Sequence, residues 1–230
     1  MNIQLRDEYC TPNPDELAAM AARGDYLSDS LVDTTFDEAM EGTEKDHQAF
    51  LDDLLYRGHF GPFEHAQASF FVEGLSRTAM AQVTRHRHMS FDVQSQRYVD
   101  FSEKEPVIPP SFNRKLPDDL LSRRNERVYT FEDMLNHHWY NSIKYYGRAI
   151  DRGIPKEDAR FFLPLATPVN MTMSANPRTL MHFNDLRNNA KAQWEAQEFA
   201  SLVYEEAMKW APKTFDAYDR KTNNNSLRAP

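Results

Sequence analysis

Hydrophobic positions along the chain follow two spacings, one typical of helices and one typical of strands. Between residues 120 and 152, apolar or aromatic side chains recur in steps of three and four, which predicts one long amphipathic helix. Five further segments are predicted to be helices: residues 15–23, 43–57, 75–84, 177–188 and 191–210. Three short β-prone segments are predicted to be strands: residues 3–9, 66–73 and 169–174.

The order of these elements predicts an α+β fold. Strands and helices are interspersed without regular β-α-β units, so the pattern favours α+β over a doubly wound parallel sheet. The proline-containing segment 98–116 is predicted to be a loop or an extended crossing segment. With 230 residues and 26.8 kDa, the chain suits one domain. We therefore predict a single domain over residues 1–220, followed by a polar, flexible tail at 221–230.

Charge and cysteine content narrow the class of protein. The chain carries 27 basic and 35 acidic residues, a formal net charge of -8, so the molecule as a whole is expected to repel nucleic acid and anionic membranes. A lone cysteine, Cys10, excludes an internal disulfide and zinc sites built from two or four cysteines. Residues 1–9 lack the apolar core of a signal peptide. We expect a cytoplasmic protein without nucleic-acid or membrane partners.

Glycine spacing excludes the two common phosphate-binding loops. None of the 7 glycines forms a G-x-G-x-x-G turn or a Walker A loop. A nucleotide ligand would therefore have to be held by side chains and helix N-termini. Paired histidines such as His86 with His88, or His137 with His138, lack the i, i+4 spacing of helical metal ligands, so no metal site is predicted.

Residues 85–97 concentrate basic and polar side chains in an otherwise acidic protein. The segment contains Arg85, Arg87 and Arg97, together with two histidines and two serines. Guanidinium groups fit phosphates and flat, carbonyl-rich rings, while serine and glutamine add orientable hydrogen bonds. The segment therefore indicates a site for a small anionic heterocyclic ligand. The alternative is a solvated basic loop that pairs with acidic residues.

Two positions near the C-terminal third of the chain also point to anion binding. Asn176 followed by Pro177 predicts the start of a helix. The free N–H groups at this helix start, together with Arg178, would form an anion site. The alternative is a plain helix cap. If that helix continues to Trp194, Arg187 lies on its apolar stripe and should meet a carboxylate or line a ligand cavity, the alternative being a structural ion pair.

Several ordered motifs match one known family. Arg85-His86-Arg87, followed after seven residues by Ser95, forms an R-H-R-x7-S motif. Further matching segments stand at residues 58–65 (G-H-x-x-P-F-E-H), 95–98 (S-x-R-Y), 176–178 (similar to N-A-R), 186–187 (L-R) and 192–195 (A-Q-W-E). On these residues, from about Gly58 to Glu195, the sequence resembles the flavin-dependent thymidylate synthases.

The resemblance implies a reaction, an assembly and a fold. The reaction is the reductive methylation of dUMP to dTMP, in which 5,10-methylenetetrahydrofolate gives the carbon and FAD, reduced by NADPH, gives the hydride. The assembly is a homotetramer whose active sites combine residues from several subunits. The implied fold is a small mixed or antiparallel sheet packed by long helices, and the family needs no cysteine nucleophile, which agrees with a single Cys10 near the N-terminus.

The resemblance also implies site residues, carried over position by position. Those on dUMP would be Gln82, Arg85, Ser95, Arg97, Arg160 and Arg187. Those on FAD would be Arg85, His86, Arg87, Asn176, Arg178 and His182. Arg187 would be the catalytic group, a fixed donor that stabilises negative charge as the uracil ring ionises at N3.

Four positions depart from residues common in the family, and two other functions stay open. Gly61 stands for Thr or Ser, Asp92 for Asn, Val93 for Glu and Lys191 for His, so we predict reduced FAD affinity. One alternative function is a flavin-binding NADPH oxidase that has lost methyl transfer. The other is a module that binds nucleic acid or another polyanion, which the net charge of -8 opposes.

Overall fold

The computed structural model describes residues 1–28, 30–43, 45–117 and 130–223. Its strands are β1 (Asn2–Leu5), β2 (Ala68–Ser76), β3 (Ser90–Val93) and β4 (Pro168–Ala175). Its α-helices are α1 (Pro14–Gly24), α2 (Phe36–Met40), α3 (His47–Arg57), α4 (Arg77–Val83), α5 (Phe131–Asp151), α6 (Lys156–Ala159), α7 (Pro177–Arg187), α8 (Trp194–Trp210) and α9 (Pro212–Asn223). Short 3-10 helices cover Asp7–Tyr9, Gly61–Glu64, Pro110–Asn113 and Arg160–Phe162.

The strands form one four-stranded antiparallel sheet in the order β1-β2-β4-β3. Its two central strands bury alternate side chains, as a strand with one face on a core requires. In β2 these are Ala68, Phe70 and Val72, and in β4 the buried set begins with Val169 and Met171. The predicted α+β class and the small antiparallel sheet are therefore confirmed.

The chain groups into two compact units. Unit 1 comprises Met1–Val72, Thr84–Asp92 and Thr172–Pro230, and unit 2 comprises Glu73–Val83 and Val93–Met171. Each unit is therefore built from stretches that are far apart in the sequence. The prediction of a single catalytic domain over residues 1–220 stays a prediction.

Unit 1 joins the two ends of the chain through α8 and α9. The buried face of α8 includes Phe199, which packs edge-on against Phe183 of α7 with ring centroids 5.8 Å apart. The buried carboxylate of Asp15 in α1 accepts hydrogen bonds from the backbone N–H groups of Lys213 and Thr214 at 3.0 and 2.9 Å. These bonds satisfy N–H groups in the first turn of α9, which have no partner within the helix.

Two more hydrogen bonds tie the N-terminal segment to α8. The side chain of Glu206 accepts from the N–H of Leu5 at 2.9 Å, and the indole of Trp210 donates to the carbonyl of Thr11 at 3.0 Å. Together with the Asp15 carboxylate, they make α8 and α9 the partners of the first residues of the chain.

Unit 2 is organised around the long helix α5. A capping box starts this helix, because Thr130 Oγ1 accepts from the N–H of Asp133 at 3.1 Å while Asp133 Oδ2 accepts from the N–H of Thr130 at 3.0 Å. The helix buries Trp139, whose indole N–H donates to the carbonyl of Lys104 at 3.0 Å. It also buries Tyr146, which belongs to a core cluster with Phe101.

The structure corrects several predicted boundaries. The strand predicted at 3–9 ends at Leu5 and gives way to a 3-10 helix, and the helix predicted at 75–84 begins at Arg77 because β2 continues through Ser76. The helix predicted at 43–57 begins at His47, where Asp46 caps it. Residues 120–129 of the predicted long helix lie outside the described residues.

Several elements were not predicted at all. They are β3, α9 and the short helices α2 and α6, and α9 continues through Asn223 into the segment predicted as a tail. The helix predicted at 177–188 ends at Arg187, and the helix predicted at 191–210 begins at Trp194. The continuous helix on which the apolar stripe from Leu180 to Trp194 depended is therefore not present. In the part of the chain that the structure describes, no helix has both the length and the hydropathy needed to span a membrane.

Candidate active site

The start of α7 is a capped helix N-terminus beside a cavity. Asn176 Oδ1 accepts from the N–H of Thr179 at 2.8 Å, and Pro177 occupies the first helical position, as predicted. The adjoining cavity has a volume of about 400 Å³ and is lined by Glu64, His88, Asn176, Arg178, Thr179 and His182. Three of the six residues predicted to contact FAD therefore line one cavity in unit 1.

Arg178 is held in place beside this cavity by the segment around residue 60. Its guanidinium forms an ion pair with Glu64 of the 3-10 helix Gly61–Glu64 and lies over the ring of Phe60, 5.7 Å from the centroid. The ammonium of Lys221 lies 4.5 Å from the same centroid. Phe60 thus contacts two cations through its π face, an attractive arrangement. These roles of Phe60 and Lys221 were not predicted.

The R-H-R motif forms a turn in which the two arginine side chains are more exposed than the histidine between them. The turn lies between α4 and β3 and is closed by a hydrogen bond from the N–H of Met89 to the carbonyl of His86 at 3.2 Å. Arg85 and Arg87 are exposed, whereas His86 is half-buried and Met89 is buried. The apolar Met89 anchors the turn, so the two arginines reach solvent and the histidine points inward.

His86 contacts Arg187 directly. Arg187 Nε donates to His86 Nε2 at 2.9 Å, although the two residues are 101 positions apart in the sequence. Burial and the neighbouring positive charge of Arg187 lower the pKa of His86 to about 4, with a smaller effect from His182. The imidazole is therefore neutral at pH 7 and acts as an acceptor. The sequence predicted that Arg187 would meet a carboxylate or line a ligand cavity, and the structure gives it an imidazole as partner.

Unit 2 holds a second group of predicted residues, connected through Glu157. Arg97 Nε donates to Glu157 Oε2 at 2.8 Å, and Arg160 Nε donates to the carbonyl of Glu157 at 2.9 Å. Ser95 Oγ accepts from the N–H of Arg97 at 3.2 Å. Glu157, which sequence analysis did not select, thus joins two of the residues predicted for dUMP, Arg97 and Arg160, and Ser95 contacts the backbone of Arg97.

A third arginine of unit 2 lies in the same electrostatic environment. Burial, and secondarily the charge of Arg160, lower the pKa of Arg77. Gln82, also predicted for dUMP, lies in the same helix, α4. Guanidinium groups remain protonated at any physiological pH, so this part of unit 2 carries three arginine cations, of which Arg97 is paired with Glu157.

Of the four positions that depart from family residues, Gly61 has room for a larger side chain. A Cβ built on Gly61 meets no atom within 4 Å, so the position leaves open space rather than being sterically required. Asp92 and Lys191 are exposed, and Val93 is half-buried at the end of β3. No reason for these four residues follows from the packing.

Comparison with known proteins identifies the family. The model of the family described as "Thymidylate synthase complementing protein" matches residues 8–213. The flavin-dependent thymidylate synthase of Haloarcula marismortui is 39% identical over a 250-residue alignment that covers 99% of both chains. The enzyme of the same name from Halobacterium salinarum is 40% identical with the same coverage. The chain belongs to the flavin-dependent thymidylate synthase family.

Structural comparison agrees at the level of the fold. The UMP/dUMP methylase PolB from Streptomyces cacaoi, solved with bound 5-Br dUMP, superposes with a TM-score of 0.74 and 22% sequence identity, over 95% of this chain and 94% of that one. The predicted family resemblance is thus confirmed, and the protein is a methyltransferase of the flavin-dependent thymidylate synthase type. The individual site residues stay predictions.

Proposed function

We propose that the protein makes dTMP from dUMP with the residues predicted above, taking the carbon from 5,10-methylenetetrahydrofolate and the hydride from FAD reduced by NADPH. The observation that carries the proposal is the match along nearly the whole chain to relatives named flavin-dependent thymidylate synthase. The arginine set that the reaction needs is complete in this sequence, which supports carrying the residue roles over.

The residues at the start of α7 fit the diphosphate of FAD. Arg178, His182 and the N–H groups of an 11-residue helix offer cationic and neutral donors around a single cavity. Glu64 forms an ion pair with Arg178, so the site that would bind the diphosphate is not purely cationic. We assign FAD to this cavity, with Asn176 fixing the helix start and with Arg85, His86 and Arg87 completing the set. When bound and reduced, the flavin supplies the hydride.

The cationic residues of unit 2 fit dUMP. Arg97 and Arg160 offer guanidinium donors to a phosphate, and Ser95 and Gln82 offer hydrogen bonds that orient the nucleotide. Arg187 acts on the uracil ring, since a permanently charged donor stabilises the anion that forms when N3 loses its proton. Its Nε is already held by His86, so the guanidinium is oriented before the substrate arrives.

Exposed hydrophobic residues beside Arg160 support the proposal of a homotetramer with shared active sites. Phe161 is 85% exposed and Leu165 is 70% exposed, and Phe162 is partly exposed as well. Clustered apolar surface of this kind is typical of subunit interfaces. Light scattering on the purified protein should give four times the 26.8 kDa chain mass, and Phe161→Ser should lower it. We also propose a cytoplasmic location, which suits a lone Cys10.

The test of function uses the purified protein with FAD added and the excess removed. We expect dUMP to perturb the flavin absorption spectrum, and dTMP to form once methylenetetrahydrofolate and NADPH are added. NADPH consumption with oxygen but without dTMP would instead identify the flavin-binding oxidase. Arg187→Ala should lower dTMP formation by about a hundredfold or more, the loss typical of removing a donor to a developing charge. Arg148→Ala, an exposed arginine of α5, is the matched control and should retain activity.

A further inference from the structure

We infer that His86 is a positioning residue whose unprotonated Nε2 fixes the guanidinium plane of Arg187. The family resemblance gives His86 only a contact with FAD. The hydrogen bond between these two side chains is a feature of the structure itself and stands whether or not the proposed reaction occurs. The effect on catalysis rests on the proposed function.

The direction of this hydrogen bond determines the tautomer of His86. An arginine Nε carries a hydrogen at all accessible pH values and can only donate, so His86 Nε2 must accept. The ring hydrogen then resides on Nδ1. Protonation of His86 would place two cations at hydrogen-bond distance, and the lowered pKa of His86, about 4, agrees with a ring that stays neutral near pH 7.

The imidazole ring is itself oriented by the core of unit 1. Its plane meets that of Phe183 at 77°, with centroids 4.8 Å apart, and Phe183 meets Phe199 at 86°. Phe183 and Phe199 are both buried, at 1% and 0% exposure. Edge-to-face contacts of this kind are favourable and restrict ring rotation. A continuous series of aromatic contacts therefore runs from α8 through α7 to the acceptor atom on His86.

Holding Nε determines where the rest of the guanidinium points. The group is planar, so fixing the direction of its Nε–H bond also fixes the directions of both Nη atoms. The arginine side chain has many rotamers, and a hydrogen bond at Nε favours those that keep its donors in one orientation. Misplacement of a catalytic group by about 1 Å can lower a rate by roughly a hundredfold. His86 thus favours turnover by preorganising Arg187.

The first test measures the pair itself, without any ligand. Nitrogen-15 NMR of the purified protein should show His86 as the Nδ1–H tautomer, with a non-protonated Nε2 from pH 6 to pH 8, a range that lies above the pKa of about 4. The Nε–H of Arg187, assigned by its loss in Arg187→Lys, should exchange slowly with water. In His86→Leu, the same Nε–H should exchange faster. An Nε2–H tautomer, or exchange unchanged in His86→Leu, would overturn the inference.

The second test separates positioning of Arg187 from binding of FAD. With FAD saturating, His86→Leu should lower kcat for dTMP formation by about tenfold to a hundredfold, a larger loss than the change in the FAD dissociation constant caused by removing its proposed FAD contact. His86→Gln retains an acceptor oxygen near the position of Nε2 and should recover most of kcat. His138→Leu, at an exposed histidine of α5, is the matched control.

The outcomes of the second test distinguish the possible failures. Loss of FAD affinity in proportion to kcat would show that His86 acts through the flavin, and equal kcat in His86→Gln and His86→Leu would show that the acceptor is irrelevant. Either result overturns the positioning role. A wild-type protein that makes no dTMP contradicts the proposed function instead, while the NMR measurement still decides the pairing. If His86→Leu fails to fold, the NMR spectra of the wild type still decide whether His86 and Arg187 pair.

Discussion

Removing the hydroxyl of Tyr218 should destabilise the protein through a buried carboxyl group. Tyr218 of α9 is 2% exposed, and its hydroxyl donates to Asp185 Oδ1 of α7 at 2.5 Å. Asn184 Nδ2 donates in turn to that hydroxyl at 3.3 Å. The second oxygen of the carboxyl group, Oδ2, is buried, and within the described part of the chain it has no hydrogen-bond partner. The substitution Tyr218→Phe therefore takes a donor away from a group with few alternatives.

The magnitude follows from the chemistry of the hydrogen bond that is lost. Phe retains the ring, so no cavity forms and the hydrophobic contacts of Tyr218 persist. A hydrogen bond to a charged group contributes about 1.5–3 kcal/mol, and a buried acceptor left without its donor costs a comparable amount. We expect a loss of about 2–3 kcal/mol in the free energy of unfolding. For a chain of this length, that corresponds to a decrease in Tm of about 5–10 °C.

The assay is thermal and urea unfolding, at one protein concentration because the assembly state affects Tm. Tyr26→Phe is the control, since Tyr26 is 70% exposed and its substitution should change stability by less than about 0.5 kcal/mol. A double-mutant cycle with Asp185→Asn should give a coupling of about 1 kcal/mol or more. Equal stability of Tyr218→Phe and Tyr26→Phe, or no coupling to Asp185, would refute the reasoning.

Three further changes test other parts of the molecule. Asp15→Ala leaves two N–H groups at the start of α9 without their acceptor and should lower the free energy of unfolding in urea by about 2 kcal/mol. An unchanged midpoint of urea unfolding would contradict the capping of α9 by Asp15. The folded-state pKa of His86 is lowered from 6.5 to about 4, so as the pH falls the unfolded chain binds the proton before the folded chain does. The Tm of the wild type relative to that of His86→Gln should therefore decrease from pH 6.5 to pH 4. A difference in Tm that stays constant over this range would contradict the lowered pKa. Gly61→Ser has open space for its side chain and should tighten FAD binding severalfold in a fluorescence titration without changing Tm. Unchanged or weaker binding would contradict a role for this position in holding FAD.

Local signals in the sequence predicted the elements that carry the site, because those signals act over a few residues. The helix start at Asn176 and Pro177 follows from capping chemistry, and the spacing of apolar residues predicted the long helix α5, which begins at Phe131. The break between α7 and α8 was also predicted, to within one residue at the end of α7 and three at the start of α8. β3 was missed because four residues are too few for alternation to be distinguished from a loop.

The partners of the site residues could not be predicted, because they come from distant parts of the chain. His86 and Arg187 are 101 positions apart, and Arg97 and Glu157 are 60 apart. Periodicity and capping carry no information about which surface charges meet after folding. The family resemblance supplied the residue types that the chemistry needs, but the acceptor for Arg187 Nε is visible only in three dimensions.

The bonds between the two ends of unit 1 have a consequence for how the chain is made. The carboxylate of Asp15 accepts from residues 198 and 199 positions later, so its partners are synthesised long after it. At about 5–20 residues per second, the ribosome takes roughly 10–40 s to reach them. During that interval α1 has emerged without the helices that complete its environment. The contact between α1 and α9 therefore forms only after α9 has been synthesised.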